Sequence, residues 1–383
     1  MKIILVTDLY PTSEKRNGND QTQAVKDLIL SAQEFGLEVS AVIRFQQFLK
    51  KKFKFCDILP RCIEGQVYDV PLLGIRGLFI KIYTKLIVSH ILKNKEYDLI
   101  VFHMSLNAYR YLSLNIREEV PKVLVVHKGD FKHNYLKRCI NEVDAVFSRS
   151  HSISEELDKK FNLKDVQVLY SGIPSSFFFH SSGGKVACNN EEFFDCKLIY
   201  AGELKSLKNI DSVILSIKSL VDFGFKLRFD IYGVGPEEKN LKELAKNINV
   251  DSVVQFHGWI DRECLPEKFF QSDLFVMPSC PETFGLVYLE AMANGCVILG
   301  HKNEGIDGVV QDGVNAFMVE HATHNLITDK IKSFINLKSQ EKSYLRKNVA
   351  RIASGYDSRS SGLNYYRAMK SVLEDCSNKF GND

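Results

Sequence analysis

Short apolar runs alternate with helical patterns along this chain in two successive series, and nothing else in the sequence limits the fold so strongly. A strand covered on both faces reads as a continuous apolar run, and a parallel neighbour needs a crossover, usually a helix. The first series of predicted strands is Lys2–Thr7, Val39–Ile43, Leu99–His103, Lys122–His127, Ala145–Ser148 and Val166–Leu169. The second is Lys197–Ala201, Leu227–Tyr232, Val253–Phe256, Leu274–Met277, Val297–Gly300 and Ala316–Val319. Gly172-Ile-Pro174 and a polar, Gly-bearing stretch from His180 to Asn190 separate them. The expectation is α/β, with two doubly wound, Rossmann-like domains at 1–172 and 196–357, a linker at 173–195 and a cleft between them. A chain of 383 residues also exceeds what one core supports. A last helix, Ser358 to Leu373, carries Leu363, Tyr366, Met369 and Leu373 on one face, so 358–383 is expected to pack back on the first domain. Ligands of such sheets bind outside the carboxyl ends of the strands, and the loops there are the places to look for chemistry.

One of those loops is the most informative. Pro278-Ser-Cys-Pro-Glu-Thr-Phe-Gly-Leu-Val-Tyr-Leu-Glu-Ala-Met-Ala-Asn-Gly295 sets Glu282 and Glu290 eight positions apart. Glu282 lies in a Pro/Ser-rich turn. Glu290 lies on an apolar helix predicted from Leu286 to Asn294, which Gly295 is placed to end. A carboxylate flanked by Leu289, Ala291 and Met292 is costly to bury without a polar partner. The turn Thr283-Phe284-Gly285 opens that helix at Leu286, so unpaired N–H groups and the positive dipole end lie between the two acids. Such a place suits a phosphate or a cluster of sugar hydroxyls.

Other loops point the same way. In Tyr200-Ala-Gly-Glu-Leu-Lys-Ser-Leu-Lys-Asn209, Gly202 lets a phosphate approach the backbone, and Lys205 and Lys208 supply charge. Phe229-Asp-Ile-Tyr-Gly-Val-Gly-Pro236 ends a strand with G-x-G, but Glu238 stands where a dinucleotide fingerprint has its third glycine. Phe256-His-Gly-Trp-Ile260 holds the single Trp, which reads equally as a core anchor or as part of a ligand-facing loop.

Taken together, E-x7-E with F-G after the first Glu, the Gly202–Lys208 loop and Gly295 to Asp312-Gly313 resemble glycosyltransferase family 4. The likeness is strong over about 190–320 and extends to the first half only through architecture. It implies the GT-B arrangement and a retaining, metal-independent transferase. The donor would be a nucleotide-diphosphate sugar of UDP or GDP type, and the acceptor a glycan or lipid-linked sugar, as in cell-surface polysaccharide synthesis. The resemblance assigns Glu282 to the donor sugar and the developing anomeric charge, and Glu290 to the ribose. It gives Lys208 and the N–H groups around Thr283, Phe284, Gly285 and Leu286 to the leaving diphosphate, and Gly258, Trp259 and Ile260 to the base. Gly18, in the loop after the first strand, matches a glycine that lets that loop close over the phosphate. His127, closing an apolar strand, would lie near the acceptor and donor sugar as a catalytic residue, although a histidine there also reads as a satisfied core group. Three departures stand out: Glu203 replaces the family's Arg, Glu304 replaces the first of a glycine pair whose second is Gly305, and Asp307-Gly308 replaces Pro-Glu. With Glu203 present, either Lys205 substitutes for the Arg or Glu203 points elsewhere.

No D-x-D tripeptide occurs, which agrees with diphosphate binding by Lys and helix dipoles and with no metal and no cofactor. Nine scattered cysteines without C-x-x-C read as reduced thiols of a cytoplasmic protein. Between Arg44 and Lys95, eleven Lys/Arg stand against three acids, a local excess of eight. Lys50–Lys54 and the apolar, basic stretch Leu72–Leu92 read either as a solvated charged face or as a peripheral seat on the inner, anionic face of the cytoplasmic membrane. The overall +3 gives no reason to expect nucleic acid as a partner. A rival reading of the same architecture is a nucleotide-sugar epimerase; a rival of another class is an NAD-dependent oxidoreductase using a Rossmann half, disfavoured by Glu238. A third is a catalytically dead partner of a true transferase, for which Glu203 is the best argument.

Overall fold

The computed structural model describes residues 1–9, 23–47, 61–62, 67–72, 78–117, 119–178 and 194–380. Gly18, Lys50–Lys54 and His180–Asn190 lie outside the described residues. The chain divides into two compact units. One comprises Met1–Arg149, Ile153–Gly172 and Ser358–Asp383; the other comprises Ser150–Ser152 and Ile173–Asp357.

The first unit runs β1 (Lys2–Val6), α1 (Gln23–Gln33), β2 (Glu38–Gln47), β3 (Arg61–Cys62), β4 (Val67–Leu72), α2 (Leu78–Lys93), β5 (Leu99–His103), α3 (Ser105–Leu112), β6 (Lys122–Val126), α4 (Leu136–Asn141), β7 (Ala145–Ser148) and α5 (His151–Phe161). Its sheet has the order β3-β4-β2-β1-β5-β6-β7. All pairings are parallel except the two-residue β3 against β4. The strands are apolar on both faces because both are covered: Ile3 and Leu5 point to one core, Ile4 and Val6 to another. The predicted strand Val166–Leu169 is not one. It makes a single bridge to β7, Ser148 with Val168. The carbonyl of Leu169 is taken by the Arg149 side chain at 2.6 Å, so the pairing with β7 does not continue past that bridge.

The second unit runs β8 (Cys196–Ala201), α6 (Ile210–Asp222), β9 (Leu227–Tyr232), α7 (Glu238–Asn247), β10 (Val254–Gly258), α8 (Leu265–Phe270), β11 (Leu274–Val276), α9 (Leu286–Ala293), β12 (Val297–His301), β13 (Phe317–Val319), α10 (His324–Ile335) and α11 (Ser339–Ala353). Its six parallel strands take the order β10-β9-β8-β11-β12-β13. The order reverses between β8 and β11, and the corresponding reversal in the first sheet lies between β1 and β5. Each is a topological switch point, where the loops on the two sides part and leave a crevice.

The chain then returns to the first unit as α12 (Ser358–Phe380). Tyr365, Ala368, Met369, Val372 and Cys376 join Val25, Leu28, Ile29 and Ala32 of α1 in one core. A Cβ on Gly362 would stand 2.5 Å from the backbone of Ser31, so the two helices cross too closely for any side chain there.

Candidate functional site

In the second unit, three loops at the carboxyl ends of adjacent strands β8, β11 and β12 are bonded together. The loop after β8 turns through Asn209, whose φ of +53° is left-handed, a conformation Asn tolerates better than most residues. Its side chain donates to the Pro278 carbonyl at 2.8 Å, and the Cys280 N–H donates to the Leu207 carbonyl at 3.0 Å. From the other side, the Gly305 N–H donates to the Glu282 carbonyl at 3.1 Å, and the Glu282 N–H donates to Glu304 Oε2 at 2.6 Å. A Cβ on Gly305 would lie 2.3 Å from the Phe284 Cα, so only glycine allows this approach.

Within this clamp Lys208 Nζ meets Glu282 Oε2 at 2.6 Å, with both side chains nearly covered, 12% and 14% exposed. Ser279 donates to the same oxygen at 3.2 Å, and the Thr283 N–H to Oε1 at 3.0 Å. Gly285, at φ +73°, precedes α9, and a Cβ there would strike the Tyr288 ring at 2.7 Å. The N-terminal, positive dipole end of α9 therefore opens beside the Glu282 turn. Phe284 is buried and anchors that turn.

Glu290 is 3% exposed on α9 and accepts Arg262 Nε and Nη2 at 2.9 and 2.5 Å. The Arg262 guanidinium also lies over the Phe177 ring, 4.8 Å from its centroid. This partner satisfies the requirement that a carboxylate so placed be met by something polar. Arg262 was not named from spacing. Its role arises because the loop after β10 carries it toward α9, which no local pattern announces.

Glu203 and Lys205 form their own ion pair at 2.7 Å. Lys205 thus neutralises Glu203, and the cation paired with Glu282 is Lys208. The G-x-G after β9 packs against this loop: Cβ atoms on Gly233 and Gly235 would come within 1.9 Å of the Gly202 carbonyl oxygen and 2.4 Å of that of Leu204. These glycines set the backbone of the lysine loop, which accounts for them without a dinucleotide. Gly202 itself is exposed. Gly258, at φ +72°, leads to Trp259, which is 64% exposed and therefore no core anchor, and to half-buried Ile260.

In the first unit His127 follows β6 and His103 ends β5. Their rings meet at 3.2 Å, His103 Nδ1 to His127 Nε2, and His103 Nε2 meets the Tyr365 hydroxyl at 3.2 Å. The His127 side chain also accepts the Asp130 N–H, and Asp130 accepts the His127 N–H at 2.8 Å. Burial, then the nearby Arg149 charge, lowers the His127 pKa to about 3. Burial, then His127 and Arg149, holds that of His103 well below the usual imidazole range. Both rings are therefore neutral at physiological pH. Arg149, 3% exposed after β7, donates to the Leu169 carbonyl and to Ser171 Oγ, neither a carboxylate, and burial lowers its pKa to about 10.

Residues 194–351 match the family model of glycosyl transferases group 1. N-acetyl-alpha-D-glucosaminyl L-malate synthase of Bacillus anthracis is 28% identical over 275 residues, 68% of this chain and 67% of that protein. D-inositol 3-phosphate glycosyltransferase of Streptomyces griseus is 32% identical over 131 residues, which are 32% of this chain and span only 28% of that relative. Among solved structures, Anabaena Alr3699/HepE in complex with UDP and glucose aligns with TM-score 0.68 at 18% identity, covering 97% of this chain and 100% of that one. Likeness at such identity establishes a shared fold.

Proposed function

We propose that this chain, whose residues 194–351 match the model of glycosyl transferases group 1 and whose fold is shared with solved structures such as HepE, is a retaining glycosyltransferase that uses a nucleotide-diphosphate sugar without metal. The observation that carries the reading is the covered Lys208–Glu282 pair, clamped by three loops at the switch point beside the start of α9.

In this reading the donor diphosphate enters against Lys208 and the N–H groups of Thr283–Leu286. Lys208 exchanges Glu282 for phosphate oxygens and stabilises the charge that builds on the leaving group. Glu282, relieved of its lysine, holds donor-sugar hydroxyls and faces the developing positive charge at the anomeric carbon. Glu290 exchanges Arg262 for the ribose hydroxyls, and the Gly258–Ile260 loop meets the base. His127 lines the acceptor side as a neutral imidazole. The acceptor is a glycan or lipid-linked sugar of cell-surface polysaccharide synthesis. Exposed Ile82 and Leu86 on α2, 48% and 63% accessible, stand with Lys81 and support peripheral contact with an anionic membrane.

A thermal-shift series with UDP-, GDP- and ADP-sugars in excess EDTA tests the donor class. One UDP- or GDP-sugar at 100 times its Kd should add roughly 2.7 kcal/mol of stability, and sugar transfer should persist in EDTA. Absence of any nucleotide-dependent shift would overturn the donor assignment. Loss of transfer in EDTA that added cation restores would overturn the metal-free chemistry.

A further inference from the structure

Beside the Glu282 turn lies a second set of groups, of which the transferase reading uses only Glu304, as a backbone support of that turn. Cys280 in the loop after β11, His301 at the end of β12 and Glu304 in the loop after β12 bring one ligand-type atom each within 4.8 Å of one another. We propose that these three residues form a site for a thiophilic divalent cation of the Zn2+ class.

The donor set is selective. A thiolate, an imidazole and a carboxylate suit Zn2+, whereas Mg2+ and Ca2+ take oxygen ligands. The spacing is near what coordination needs: Cys280 Sγ lies 3.3 Å from Glu304 Oε1. Zn–S and Zn–O bonds of about 2.3 and 2.0 Å at a tetrahedral angle place those two atoms roughly 3.5 Å apart. The His301 ring is already oriented as a ligand. Its Nδ1 lies 2.6 Å from the Lys302 carbonyl, which can only accept, so Nδ1 carries the proton and Nε2 presents its lone pair. Such a backbone partner is the usual outer support of a metal-bound histidine. Glu304 is 7% exposed, and its other oxygen receives the Glu282 N–H at 2.6 Å.

The charges balance. Binding replaces the Cys280 S–H proton, which leaves to solvent, and two negative ligands neutralise the cation, while a fourth position stays open to water. Affinity should therefore fall with falling pH as protons compete for the thiolate. Because Glu304 also holds the Glu282 backbone, a bound cation would bear on the transfer site through that hydrogen bond. That clause alone rests on the transferase reading; cation binding does not.

The test uses Co2+ as a spectroscopic probe on the full chain, with Zn2+ as competitor. The expected result is a thiolate-to-cobalt charge-transfer band that Zn2+ abolishes, that Cys280→Ser removes and that His301→Gln weakens by at least about tenfold in affinity. Cys264→Ser, at an exposed cysteine outside the set, should keep it. If Cys280→Ser fails to fold, His301→Gln carries the test by the same readout. No band in the unaltered protein, a band undiminished in Cys280→Ser or His301→Gln, or equal loss in Cys264→Ser would overturn the site. None of these readouts needs a sugar donor, so a failure here is separable from a failure of the transferase assignment.

Discussion

At the carboxyl ends of its strands the second unit gathers opposite charges in close pairs, whereas the first gathers neutral rings around a buried cation. Both sheets reverse strand order, and both offer a crevice there. In the second unit Lys208 pairs with Glu282 and Arg262 with Glu290. In the first unit His103, His127 and Tyr365 form a chain of uncharged groups, and Arg149 is held by a carbonyl and a hydroxyl. The difference teaches that topology supplies the crevice and the loops decide its electrostatics. Under the proposed transfer, the charged ion pairs of the second unit suit a charged leaving group, and groups whose charge burial suppresses suit a neutral hydroxyl.

The largest test of this contrast is Glu282→Gln. Turnover should fall roughly 10²–10³-fold, the scale of a lost electrostatic contact to the transition state, while calorimetric nucleotide affinity changes far less. If His127→Asn costs as much turnover as Glu282→Gln, the division of labour between the units fails. Next, Lys208→Ala should weaken nucleotide-diphosphate binding by about 1.5–3 kcal/mol, the range of a charge-assisted hydrogen bond. Lys205→Ala should cost less, because Lys205 is paired with Glu203. The reverse ranking would mean that the loop is organised around Glu203.

A third test concerns the first unit. His127 has a folded pKa near 3 against an ordinary 6.5, so the unfolded chain binds the extra proton between those values. Stability therefore rises with pH across that window and is lost on acidification. Relative to pH 7, the cost at pH 5 from this ring is about 2 kcal/mol. Calorimetric melting at the two pH values should show a smaller gap in His127→Asn; an unchanged gap would mean that the ring is not held neutral. The smallest effect is at the membrane. Lys81→Gln with Leu86→Ser should reduce co-sedimentation with anionic vesicles, each basic residue contributing on the order of 1 kcal/mol at low salt. Equal recovery with neutral vesicles would remove the proposed membrane contact and leave the two-unit contrast intact.

The α/β class was legible because covered parallel strands must be apolar throughout. Leu99–His103, Ala145–Ser148 and Leu227–Tyr232 read at their observed limits. Val166–Leu169 misleads because its alternation fits a strand, while its pairing with β7 stops at one bridge and the Leu169 carbonyl is bound by Arg149. Val67–Leu72 escapes notice because Pro71 argues against a strand. At the candidate site, the spacing singles out Lys208, Glu282 and Glu290, since each sits in a segment with its own turn or helix signal. It does not reveal Arg262, Ser279, His103 or Arg149, whose partners are brought near only by the sheet order. Glu304 reads in sequence as a missing glycine, yet in the structure it fastens the Glu282 turn.

The return of α12 to the first unit has a consequence for synthesis. That helix closes the core shared with α1, but a ribosome makes it only after everything from Ile173 to Asp357. At roughly 5–20 residues per second, the delay is on the order of 10–40 s. During that time the second unit can fold as one continuous stretch, while the first lacks Tyr365, Ala368, Met369, Val372 and Cys376, the part of its core that α12 supplies. The nascent first unit is thus the part of this molecule with the greater need of a chaperone.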